Sequence, residues 1–100
     1  MEEKIYLGAQ WGTFVDDKGQ KRRFCSVFVM EPFPQTDNPD YYTSGYRAVK
    51  YRLTDPRLVN GLNPLDPVEV YFSSKGAVTK LVKIEGSSVE GYMASAEGVA

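Results

Sequence analysis

The stretch Tyr46-Arg47-Ala48-Val49-Lys50-Tyr51-Arg52-Leu53-Thr54-Asp55-Pro56-Arg57-Leu58-Val59-Asn60-Gly61 decides the fold. Its first half alternates, with Val49, Tyr51 and Leu53 on one side and Ala48, Lys50 and Arg52 on the other, the two-residue period of a strand. Thr54-Asp55-Pro56 then supplies a capping hydroxyl or carboxylate followed by proline in the first turn. This predicts a short helix from Pro56 to about Asn60, closed by Gly61. Strands on both sides of that helix settle the element order.

On the N-terminal side, Ile5 to Phe14 alternates, with Ile5, Leu7, Ala9, Trp11 and Thr13 facing one way and Tyr6, Gly8, Gln10, Gly12 and Phe14 the other. Asp16-Asp17-Lys18-Gly19-Gln20 is a polar turn, so the chain folds back as a hairpin. The return strand, Arg22 to Met30, sets Cys25, Val27 and Val29 against Phe24, Ser26, Phe28 and Met30. Pro32-Phe33-Pro34 ends it, because proline donates nothing to a ladder. Gln35 to Gly45 reads as a long polar loop or a flexible hairpin wing, with Tyr41 and Tyr42 embedded in it. Beyond the helix, Val68, Val70 and Phe72 form the inner face of a fourth strand, Ser73-Ser74-Lys75-Gly76 makes a turn, and Ala77 to Ile84 is the fifth strand. Residues 1–85 thus read as one all-β domain, a five-stranded antiparallel barrel with a short helix between strands 3 and 4. Residues 86–100, rich in Gly, Ser, Ala and Glu, read as a flexible C-terminal tail.

The chain has 100 residues, with 12 Lys+Arg against 13 Asp+Glu. The distribution matters more than the total. Lys4 to Ile84 holds all 12 basic residues but only eight acids, a net of +4, while Glu2, Glu3, Glu85, Glu90 and Glu97 lie at the ends. A mildly basic body with acidic flanks suits a polyanion, although the same pattern also serves solubility. Histidine is absent, which removes the commonest general base and metal ligand. One cysteine, Cys25, allows neither an internal disulfide nor a cysteine-rich zinc site, and its small-aliphatic face reads as inert packing. Asp16 and Asp17 are adjacent, so their side chains diverge in an extended segment and read as a solvated turn rather than an acid/base pair. Asp37-Asn38-Pro39-Asp40 lacks the alternating ligands, central glycine and terminal glutamate of a calcium loop. The expectation is a non-enzymatic protein with no metal, no cofactor and no small-molecule substrate. With no long apolar run and no basic-then-apolar leader, no membrane association is expected and the expected location is cytoplasmic.

Three features carry a family resemblance: the Gly12-Thr13-Phe14-Val15-Asp16-Asp17-Lys18-Gly19 hairpin, Arg22-Arg23-Phe24 opening strand two, and the tyrosine-rich loop before strand three. Together with the helix between strands three and four, this plan resembles the small OB-fold single-stranded-DNA-binding proteins of filamentous bacteriophages and mobile elements. The resemblance covers Lys4 to Glu85. It implies a homodimer that coats single-stranded DNA during replication, in the bacterial host cytoplasm if phage-encoded, with RNA open as a ligand. The bacterial housekeeping relatives carry a long tail with an acidic, phenylalanine-ended tip. This sequence ends Glu97-Gly98-Val99-Ala100 instead, which argues against tail-mediated recruitment of partners.

Binding a single strand needs cations along the phosphates and flat rings against the bases. The candidate basic residues are Lys18, Lys21, Arg22, Arg23, Arg47, Lys50 and Arg52, and the candidate rings are Phe24, Phe28, Tyr41, Tyr42 and Tyr46. Taken singly, an aromatic is more often core than platform, and Phe28 and Tyr51 are the strongest core candidates. Tyr41 and Tyr42 have little core to join. Trp11 shares its phase with Ile5 and Leu7, which favours the core, but a bend at Gly12 would turn the indole to a binding groove. The competing function is a small β-barrel protein-interaction module that docks a replication or conjugation partner through the tyrosine-rich loop.

Overall fold

The computed structural model describes residues 2–34, 36–86 and 88–93. Five strands form one antiparallel sheet: β1 (Glu2–Val15), β2 (Lys21–Pro32), β3 (Tyr46–Arg52), β4 (Pro67–Phe72) and β5 (Val78–Lys83), in the order β3-β2-β1-β4-β5. The first strand is long because it serves two neighbours. Its start, Glu2 to Ile5, pairs with β4, and Ile5 to Val15 pairs with β2. The helical signal at Pro56 gives a single 3-10 turn, Pro56–Val59, rather than an α-helix. Asp55 caps it by accepting from the Arg57 N–H at 2.9 Å.

The two edge strands meet at one point. Leu53 and Val78 form a parallel bridge, and the Thr54 N–H donates to the Val78 carbonyl at 3.1 Å. The expected barrel is therefore a five-stranded sheet whose edges touch at this bridge, not a fully hydrogen-bonded closure. Val27, Val29, Leu53, Val59, Val68, Val70 and Val78, with the ring of Tyr6, form the core on one side of the sheet. β-branched side chains fit such a pleated, curved surface.

One feature of β1 corrects the sequence reading. A bulge between Tyr6 and Gly8 adds one residue, Leu7, to the strand. Because side chains alternate with a period of two, one extra residue exchanges the faces beyond it. Tyr6, Ala9, Trp11 and Thr13 therefore share the face of Val29, Val27, Cys25 and Arg23, while Gly8, Gln10, Gly12 and Phe14 share that of Phe28, Ser26, Phe24 and Arg22. Tyr6, expected opposite Ala9, joins the core beside it.

At the end of the sheet away from the first hairpin, Lys4 and Glu31 form an ion pair at 2.8 Å, with their side chains only 9% and 13% exposed. The Tyr51 hydroxyl donates to the same carboxylate, and its ring packs edge-on against Phe72 at 5.0 Å. Tyr51 thus sits at the core margin, as its phase suggests. Burial pushes the Glu31 carboxyl up, but the hydrogen bonds from Lys4 and Tyr51 outweigh it and hold the group below its ordinary range.

Part of the expected tail contacts the sheet. Gly86 turns the chain with φ 79°, and residues 89–93 form one helical turn. The Tyr92 hydroxyl donates to the Met30 carbonyl at 3.3 Å, and Tyr92 packs against Tyr46 at 6.4 Å. Residues 94–100 lie outside the described residues.

Candidate functional site

Beyond the core, the β1–β2 hairpin continues as a two-stranded arm. β4 pairs with β1 only as far as Ile5, and β3 ends opposite Ser26, so, among the described residues, 11–15 and 21–24 pair only with each other. The turn holding the two strands is built around Asp16. Its carboxylate accepts from the Lys18 and Gln20 backbone N–H groups at 3.0 and 2.8 Å and from the Arg22 Nε at 2.8 Å. The Arg22 bond, followed by the Gln20 bond, holds the Asp16 carboxyl below its ordinary range.

The face of the sheet opposite the core gathers a stripe of rings and cations. Cross-strand register sets Phe14 beside Arg22, Gly12 beside Phe24, Ser26 beside Arg52, and Phe28 beside Lys50. Phe14 and Phe24 lie 6.3 Å apart, both partly open to solvent. Glycine makes the neighbouring strand a low floor for these rings. A Cβ at Gly12 would come within 3.2 Å of the Phe24 ring, and one at Gly8, beside Phe28, would meet nothing within 4 Å. Among the described residues, Lys50 and Arg52 have no ion pair or side-chain hydrogen bond. Such a surface can neutralise phosphates and stack on flat rings.

The predicted residues divide by place. Arg22, Phe24, Phe28, Tyr46, Lys50 and Arg52 share the outer face. Lys21, Arg23 and Arg47 belong by register to the opposite face, and Arg47 lies over the Phe33 ring at 5.9 Å. Lys18 is at the arm's turn. Tyr41 and Tyr42 stand clear of the core on the loop, Tyr42 being 86% exposed. Arg22 and Tyr46 already have protein partners: Arg22 is held by Asp16, and the Tyr46 hydroxyl donates to the Met93 carbonyl at 3.0 Å.

The favoured core assignment of Trp11 does not hold. The indole is 55% exposed, because residue 11 faces the core side at a point the core no longer reaches. It walls an open groove of about 640 Å³ lined also by Thr13, Arg23, Cys25, Leu53, Thr54 and Pro56. Strand periodicity carries no signal for this, because the exposure of Trp11 depends on where β3 and β4 stop short of the arm. Burial, with help from Asp55, pushes the Cys25 thiol up, so it is protonated at neutral pH. Among the described residues no cluster of three metal-ligating side chains occurs, and no helix is long and apolar enough to cross a membrane. No family model, curated protein or solved structure matches the chain.

Proposed function

We propose that this protein binds single-stranded DNA without catalysis, through the outer face of β2 and β3 and the β1–β2 arm. The observation that carries the reading is the Phe28–Lys50 pair, a ring directly opposite a cation that has no ion pair among the described residues, within a longer stripe of the same composition. Phosphates are neutralised by Lys50, Arg52 and the cations of the arm, while bases stack on Phe24, Phe28 and the loop tyrosines. The single bridge between Leu53 and Val78 supports an OB-like barrel, in which the edges of such a sheet meet. Coating replicating strands as a homodimer follows naturally, since one small barrel covers only a few nucleotides.

Fluorescence anisotropy of labelled oligothymidine, titrated at several salt concentrations, tests the reading. Saturable binding that weakens steeply with salt supports it, because released counterions set that slope. No binding at low salt overturns it. The exposed Tyr41–Tyr42 loop also fits a protein-docking module, and salt-insensitive capture of a partner in place of DNA would favour that reading.

A further inference from the structure

The groove beside Trp11 lies on the other side of the arm from the stripe. We infer that it is a second subsite for one base of the same strand, so that single-stranded DNA engages both faces of the arm. This inference rests on the proposed function and goes beyond it by assigning a site on the core side of the sheet.

Four observations converge. The groove's wall is an exposed indole, the largest flat ring available for stacking, and its volume of about 640 Å³ lies within the usual range for small-molecule sites. Its lining includes the apolar side chains of Leu53 and Pro56 and the thiol of Cys25, which burial pushes up and keeps protonated. Arg23 and Arg52 border it, and among the described residues neither has an ion pair or side-chain hydrogen bond. Asp55, whose charge reaches Cys25, is taken by Arg57 at 2.7 Å. A flat group attached to an anion satisfies both the indole and the free guanidinium groups, whereas an aromatic side chain of a partner protein would leave the cations unanswered. Finally, Phe24, Ser26 and Arg52 belong by register to the outer face yet border the groove, so stripe and groove share a rim. The rim lies where β3 ends opposite Ser26, and among the described residues no further strand pairs with β2 along the arm to block the strand's path.

Trp11 is the chain's one tryptophan, so its fluorescence reports this groove alone. Unlabelled oligothymidine titrated into the full chain should quench that emission in parallel with binding measured by anisotropy. Trp11→Ala, checked for folding by circular dichroism, should weaken binding roughly 5- to 150-fold with the salt slope unchanged, as removal of one stacking platform does. Trp11→Phe should recover part of the loss. If oligothymidine binds the parent, Phe24→Ala and Lys50→Ala weaken it, and Trp11 is neither quenched nor needed, the groove is not a base site while the proposed function stands. Quenching without a loss in Trp11→Ala, or a loss without quenching, also overturns the subsite. Quenching by a tyrosine-rich peptide but not by oligothymidine would assign the groove to a protein partner. If labelled oligothymidine does not bind the parent at all, the proposed function fails first and the subsite with it.

Discussion

Phe28 and Lys50 lie directly opposite each other across β2 and β3, on the side of the sheet turned away from the core. The pair joins two kinds of force in one place. A ring offers stacking that salt hardly touches, and an ammonium offers attraction that salt screens. This difference makes the roles of individual side chains separable by experiment.

Cations at the site should differ in their effect. Lys50→Ala, Arg52→Ala and Arg23→Ala should each lower the salt slope of oligothymidine binding by about 0.7, the loss of one phosphate contact on a single strand. Arg22→Ala should change it less, because Arg22 already spends its charge on Asp16 at 2.8 Å. Equal slope changes for Arg22 and Lys50 would show that the Asp16 pair opens on binding.

Tyr41→Ala combined with Tyr42→Ala should reduce affinity by about 1–3 kcal/mol for each base that loses its platform, with the salt slope preserved. Folding should survive, since Tyr42 is 86% exposed. Unchanged affinity in this double variant would leave the loop to a partner protein.

The Lys4–Glu31–Tyr51 network should make stability depend on acid. The Glu31 carboxyl is held below its ordinary range in the fold, so its contribution is present above the unfolded pKa of about 4.3 and is lost as pH falls through the lower folded value. Urea unfolding should therefore show the parent weakening below about pH 4. Glu31→Gln should cost roughly 3 kcal/mol at neutral pH, because Lys4 loses the carboxylate buried beside it, and should flatten the acid dependence. An unaltered acid profile in the variant would place the titration elsewhere.

The sequence showed the order of five strands and the alternation of β2 and β3, because long runs such as Cys25 to Met30 and Ala48 to Leu53 obey the two-residue period without interruption. The Asp55-Pro56 cap was equally legible, although four residues could support only a 3-10 turn. The exposure of Trp11 was not, because its phase does place it on the core side, and only the ends of β3 and β4, which stop short of the arm, leave it uncovered. The pairing of Arg22 with Asp16 and the docking of Tyr92 on Met30 depend on where chain segments meet, which periodicity does not carry.

The turn over residues 89–93 should add measurable stability. Tyr92→Ala removes a ring pair with Tyr46 and a hydrogen bond to Met30, together about 1–3 kcal/mol in thermal or urea unfolding. No change would mean that the turn rests on the sheet without holding it.

The most direct measurement is an NMR titration of the full chain, labelled with nitrogen-15, with oligothymidine at low salt. Single-strand binding at the outer face predicts saturable shifts concentrated at Phe24, Ser26, Phe28, Lys50 and Arg52, together with the arm from Trp11 to Arg22. Shifts confined to β4, β5 and the Pro56–Val59 turn, or no shifts at all, would contradict it.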